Sequence, residues 1–200
     1  TTISIVKLRP SPLQPRRVFD KKSINELAES IKSKGLIQPI LVRPSNTNEG
    51  EYEIIAGERR WRAAQVAQLH EIPAVVKNLN DTESLEIAII ENVQRSDLSP
   101  IEEAAGYKKL MESYNHTQEQ LSEVVGKSRS HIANIIRLLS LPQSIQDMIS
   151  QGSISSGHAR AIMNSVFPEQ LAEKIINENL SVRATEALVK EKKEGPKKIK

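Results

Sequence analysis

The 200-residue chain is 38% hydrophobic and 26% charged, the composition of an ordinary globular protein with room for one sizeable core or two small ones. It contains no cysteine, which excludes disulfides, thiolate metal sites and thiol nucleophiles at once. Its net charge is only +3, so affinity for a polyanion has to come from local clustering of cations, and no apolar run approaches the length that spans a bilayer or forms a secretory signal.

In chain order, "ISIVKL" at 3–8 has strand composition, and the proline-punctuated "RPSPLQPRRVF" after it reads as an extended loop carrying arginines. Ser23 and Glu26 have the spacing of a capping box, and Ile24, Leu27, Ala28 and Ile31 recur at helical spacing until Lys32, Lys34 and Gly35 supply a stop. "IQPILVRP" and "EYEIIAG" read as strands around the polar turn "SNTNEG", and "EIPAVV" reads as another. Between the last two, "AGERRWRAA" at 56–64 opens a helix whose first turns carry Arg59, Arg60 and Arg62. That is an electrostatic oddity, because the macrodipole favours acidic side chains at a helix N-terminus. A bound anion removes it: Gly57 lets backbone approach a ligand, the first turn presents free amides, and guanidinium forks match phosphate. The competing reading pairs Arg59 and Arg60 with carboxylates on a solvated surface.

From Asp81 the strand signals stop. Leu85, Ile87, Ala88, Ile89 and Ile90 form a run too continuous for an exposed amphipathic helix, and it turns polar at "ENVQRSD", 91–97. Glu91 and Asn92 are oxygen ligands of the kind magnesium takes beside substrate phosphates, and Arg95 falls one helical turn from Glu91; the plainer alternative is an i,i+4 ion pair, worth little when exposed. Ser99, Pro100 and Glu102 supply N-cap, first-turn proline and N3 carboxylate for a helix running to about Tyr114.

The next stretch, "TQEQLSEVVGKSRSHIANIIRLL" at 117–139, carries a Thr117/Gln120 capping box, an apolar face of Leu121, Val124 and Val125, and a turn at Gly126. Ser128 caps a second helix that turns Ile132, Ile135 and Ile136 inward, and Ser122 is small enough for the helices to approach closely. This is the layout of a helix-turn-helix, whose second helix enters a major groove. Its outward residues are Arg129, Ser130, His131, Asn134 and Arg137: arginine suits guanine, asparagine suits adenine, and serine or Lys127 suits phosphate. A helical hairpin that only packs is the alternative. The remainder reads as helical, down to a lysine-rich solvated tail, so the whole is α+β, a mixed first part followed by an all-helical second. The sequence opens at Thr1 without a methionine and closes on "EKKEGPKKIK", as expected of a chain whose natural ends lie outside it.

"LQPRRVF" with "GLIQPILVRP", then "AGERRWRAA", "ENVQRSDLSPIEEA", the helix-turn-helix and "GHARAI" occur in the order found in ParB-type chromosome-partitioning proteins, which the chain resembles over roughly Ile3 to Lys190. The resemblance implies a small mixed α/β CTP-binding domain at 1–98, a helix-turn-helix DNA-binding domain at 99–190 and a basic tail at 191–200. It implies a bacterial cytoplasmic, nucleoid-associated protein that binds a palindromic centromere-like (parS) site, self-associates and spreads on DNA, and works with a ParA-type ATPase. It further implies that CTP and Mg2+ in the first domain close the protein into a clamp and that slow CTP hydrolysis resets it. Carried over by residue, Gln14 and Arg16 contact the nucleotide, and Gly35 and Gln38 lie near base and sugar. Gly57, Glu58, Arg59 and Arg60 bind phosphate, while Glu91, Asn92 and Arg95 hold magnesium and phosphate, with Glu91 the catalytic candidate. Ser128 and its neighbours from Lys127 to Arg137 read DNA, and His158 and Arg160 help contact the half-site. The family's C-terminal dimerisation domain and its basic ParA-contacting extension are expected outside this sequence, leaving two copies to meet on a palindrome.

Three other functions compete less well. A helix-turn-helix transcriptional regulator without nucleotide switching leaves "GERR" and "ENVQR" unexplained. A sulfiredoxin-like enzyme needs the cysteine this chain lacks. A two-metal nuclease needs a tighter carboxylate cluster than Glu91 beside Asn92.

Overall fold

In the computed structural model, which describes residues 1–11, 20–95 and 97–194, the chain forms two units, Thr1–Asn92 and Val93–Lys200. The first is built on one mixed sheet of strands β1 (Thr2–Ser4), β2 (Leu8–Pro10), β3 (Ile40–Pro44), β4 (Tyr52–Ala56) and β5 (Glu71–Val76), in the order β1-β5-β3-β4-β2. The single strand expected over 3–8 is thus two, separated by a 3-10 turn at Ile5–Lys7 that carries the chain from one edge of the sheet to the other. The reason is phase. A continuous strand would put Ile3 and Ile5 on one face and Leu8 on the opposite face, whereas all three are buried in the same core.

Helices α1 (Lys21–Lys34) and α2 (Glu58–Val66) pack together through Ile24, Ala28, Ile31 and Ala63. Trp61 and Ala64 of α2 join the core of Ile40, Val42, Ile54 and Ile72 from the sheet. The start of α1 departs from the capping box expected at Ser23. Asp20 is the N-cap, and its carboxylate accepts from both Lys22 N–H and Ser23 N–H at 3.2 and 3.0 Å. Two carboxylate oxygens satisfy two open amides where one serine hydroxyl serves one, so the helix begins a turn earlier. Helix α3 (Asp81–Val93) opens on a reciprocal Asn80/Glu83 box, with both bonds at 2.9 Å.

The second unit is helical: α4 (Pro100–Tyr114), α5 (Gln118–Val125), α6 (Arg129–Arg137), α7 (Gln143–Ser150), α8 (Ser156–Ile162), α9 (Pro168–Glu178) and α10 (Val182–Glu194). Its core includes Tyr107, Leu110, Leu121, Ile132, Leu138, Ile145 and Ile162. The architecture is therefore the α+β arrangement read from the sequence. Ser99 and Glu102 form the expected capping box ahead of α4. Val124 differs from expectation: it is 39% exposed, which leaves Leu121 as the buried anchor of α5. Among the described residues no helix is long and apolar enough to cross a membrane.

Candidate nucleotide site and DNA-reading helices

Strand β4 delivers the chain to Gly57, which caps α2 with φ of 93° and brings no side chain to its open amides. A Cβ at this position would lie 3.0 Å from Ile40 Cγ2 and 3.1 Å from Arg60 Nη2, so the bare backbone is what lets the Arg60 guanidinium fold back against it. Arg60 Nη1 donates to the carbonyls of Gln38 and Pro39 at 3.1 and 2.7 Å. Arg59 Nη2 donates to Ser23 Oγ at 3.2 Å. Arg62 is matched inside the helix, its Nε and Nη2 donating to Glu58 Oε1 at 2.9 and 2.7 Å, with Glu58 only 6% exposed.

The three arginines of the sequence anomaly therefore divide. Glu58 supplies the acid that the dipole favours, and it answers Arg62. Arg59 and Arg60 are held by neutral oxygens, and among the described residues neither is ion-paired with a carboxylate. These bonds gather the first turn of α1, the loop that contains Gln38, and the first turn of α2, with Gly35 closing α1 at φ of 73°. Ser23, read from the sequence as a cap, is thus a neighbour of the arginines, which only the α1–α2 packing could reveal. Gln14 and Arg16 lie outside the described residues.

Glu91 is exposed and Asn92 half-buried near the end of α3. That helix stops at Val93, so Arg95 lies beyond it, not one helical turn from Glu91, and its Nε donates to Asp97 Oδ1 at 3.0 Å. The first turn of α3 is fixed to the sheet by Arg43, a residue the sequence did not single out. Arg43 is 4% exposed at its side chain, donates to Glu53 Oε2 through Nε and Nη2 at 3.0 and 2.7 Å, and reaches Asp81 Oδ1 at 2.6 Å. Burial pulls its pKa down, the bonds to Glu53 and Asp81 push it up, and the net shift is upward, so it stays charged. Among the described residues no group of three or more His, Asp or Glu could hold a metal unaided.

In the second unit, Gly126 makes the turn between α5 and α6 at φ of 67°. Ser128 Oγ accepts from His131 N–H at 3.1 Å, and Ile132 and Ile135 are buried. Lys127, Ser128, Arg129, Ser130 and Arg137 are exposed, with Asn134 half-buried beside them. Arg129 forms a 3.6 Å pair with the similarly exposed Glu119, which is worth little. His131 Nε2 lies 3.2 Å from Glu103 Oε1. Arg160 is exposed on α8, but both ring nitrogens of His158 are engaged internally: Nε2 donates to Leu180 O at 2.9 Å, and Nδ1 accepts from Ser155 N–H at 3.3 Å. His158 braces α8 against the turn before α10.

Residues 1–93 match the family model of the ParB N-terminal domain, and residues 96–194 match that of the ParB HTH domain. The chain is 51% identical over 94% of its length to the probable chromosome-partitioning protein ParB of Rickettsia typhi, and 53% identical over 92% to the chromosome-partitioning protein ParB of Caulobacter vibrioides. It spans 64% and 60% of the length of those two relatives. Among solved structures, the C-terminally truncated ParB of Caulobacter crescentus complexed to the centromeric parS site matches with a TM-score of 0.89 at 50% identity, covering 95% of this chain and 98% of that one. Consecutive matches to both family domains, with half the residues identical to a relative of the same fold throughout, establish that the chain belongs to the ParB family of chromosome-partitioning proteins.

Proposed function

We propose that this chain is a site-specific DNA-binding partition protein whose second unit reads a palindromic parS-like site and whose first unit binds CTP. The observation that carries the reading is the outward face of α6, where Arg129, Ser130, Asn134 and Arg137 follow a capped turn at Lys127 and Ser128. It offers base-reading forks at the front of a helix and phosphate partners at its cap. Two copies meet on the two half-sites of a palindrome, and a ParA-type ATPase is the proposed partner in segregation.

In the first unit, the uncapped start of α2 and the guanidinium groups of Arg59 and Arg60 take the phosphates, Gly35 and Gln38 lie toward base and sugar, and Gln14 and Arg16 complete the set. Glu58 acts indirectly by holding Arg62. Glu91 and Asn92 are two oxygen donors, a number that fits Mg2+ only when phosphates supply further ligands, and no larger acidic cluster lies among the described residues. Bound Mg2+ neutralises phosphate charge, and Glu91 is the residue assigned to hydrolysis. Arg160 is kept as a half-site contact, with His158 as its brace.

The test is anisotropy titration of parS and scrambled duplexes. Arg129→Ala or Arg137→Ala is expected to weaken parS binding by about 1–3 kcal/mol, with a smaller loss on scrambled DNA. An equal loss on both would make the side chain a phosphate contact. Unchanged binding would remove α6 from the interface.

A further inference from the structure

We propose that Glu103, on α4, is a positioning residue for DNA reading: it holds the His131 ring of α6 in one tautomer and one orientation, and so sets what the front of that helix presents to a base pair. The inference rests on the DNA-reading assignment above.

His131 is the third residue of α6, in the first turn from which recognition helices contact base edges. Its backbone amide is fixed by Ser128 Oγ and its ring by Glu103, so the residue is anchored at both ends. The same Glu103 Oε1 accepts from the Tyr107 hydroxyl at 2.6 Å. Tyr107 is 1% exposed, and burial together with its bond to Glu103 raises its phenol above the usual range, so it remains a donor throughout the working pH range. The Glu103 carboxylate therefore has a permanent donor on one side and the His131 ring on the other.

The chemistry then follows from donor and acceptor counting. A carboxylate only accepts, so His131 Nε2 carries the hydrogen, and of the two neutral tautomers this selects the one whose Nδ1 is an acceptor. An acceptor at the front of a recognition helix complements the exocyclic amino group of adenine or cytosine in the major groove. The His131 side chain is 39% exposed and Glu103 only 19%, so the ring is open to a ligand while the group that orients it is shielded. Tyr107, Glu103 and His131 thus form a relay from the core of the unit to its proposed DNA-reading face, and the i,i+4 spacing of Glu103 and Tyr107 places both on one side of α4.

A purely structural staple between α4 and α6 would weaken the fold and lower affinity for every duplex alike. The experiment measures anisotropy on parS and scrambled duplexes for the wild-type chain, Glu103→Ala, His131→Ala, the double variant, Glu103→Gln and Tyr107→Phe, with unfolding midpoints in parallel. Glu103→Ala is expected to lose about tenfold in parS affinity and to change scrambled binding by less than about twofold. Added to His131→Ala, it is expected to cost less than about twofold more, because it acts through the ring. Glu103→Gln, which keeps an acceptor for both donors, is expected to restore most of the loss. If Glu103→Ala does not fold, Tyr107→Phe, which removes one hydroxyl, takes its place in the same cycle with His131→Ala. Independent losses in the double variant, equal losses on both duplexes, or an unchanged parS affinity overturn the inference. A wild-type chain that fails to distinguish the two duplexes overturns the DNA-reading assignment instead, so the two failures are separate.

Discussion

Arg43 shows how a residue absent from any motif can tie a helix to a sheet. It sits on the central strand β3 with its guanidinium between the buried Glu53 and the first residue of α3, and it also donates to Leu79 O at 3.2 Å. Removing one partner of a buried pair leaves the other charged and desolvated, so Arg43→Ala is expected to cost about 3–5 kcal/mol in chemical denaturation. The exposed pair Arg9–Glu51, at 2.9 Å, provides the contrast, and Arg9→Ala is expected to cost less than about 1 kcal/mol. Equal costs for the two variants would contradict this reading of Arg43. In the sequence Arg43 is one charge in "ILVRP", and its partners come from another strand and another helix, so no local pattern marks it. The arginines Arg59, Arg60 and Arg62 were legible because their oddity is local: too many cations for a helix start. Which of the three has a carboxylate was not, because Glu58 precedes them inside the same motif and only the folded rotamer shows that it serves Arg62.

At the scale of elements, the helices that the sequence revealed best are those closed by short-range chemistry. The boxes Ser99/Glu102 and Thr117/Gln120 and the Ser128 cap join residues three apart, and α4, α5 and α6 begin where those residues indicate. The start of α1 and the split of the first strand were not legible for opposite reasons. Asp20 outcompeted a plausible serine nearby, and the β1–β2 break is imposed by a core shared across the whole sheet. Packing between elements is equally silent in the sequence. At Gly106, within α4, an added Cβ would lie 2.3 Å from Val93 Cγ2. Gly→Ala inside a helix ordinarily stabilises by about 1 kcal/mol. Here Gly106→Ala is expected to destabilise by about 1–3 kcal/mol through overpacking, and Val93→Ala in the same chain is expected to recover part of that loss. Thermal or urea unfolding reads both variants, and a net stabilisation by Gly106→Ala would show that Val93 does not seat against α4.

In the whole molecule the proposed labour is divided between the two units. The first gathers Ser23, Gln38, Gly57, Arg59 and Arg60 around a helix start with no side-chain cap, and the second carries α6 behind the Ser128 cap, the proposed DNA-reading helix. One family model matches each half of the chain, and the ordered motifs made the family legible from the sequence, since modest signals in a fixed order are specific where each alone is not. The division makes one substitution decisive. Arg60→Ala removes a guanidinium from the proposed phosphate site at the start of α2 and leaves every residue of the second unit in place. The direct measurement is calorimetric titration of CTP and anisotropy titration of the parS duplex, on the folded wild-type and Arg60→Ala chains. The account predicts that the variant loses CTP binding, at least about tenfold in affinity, and keeps parS affinity within about twofold. Unchanged CTP affinity in a folded Arg60→Ala chain would contradict it.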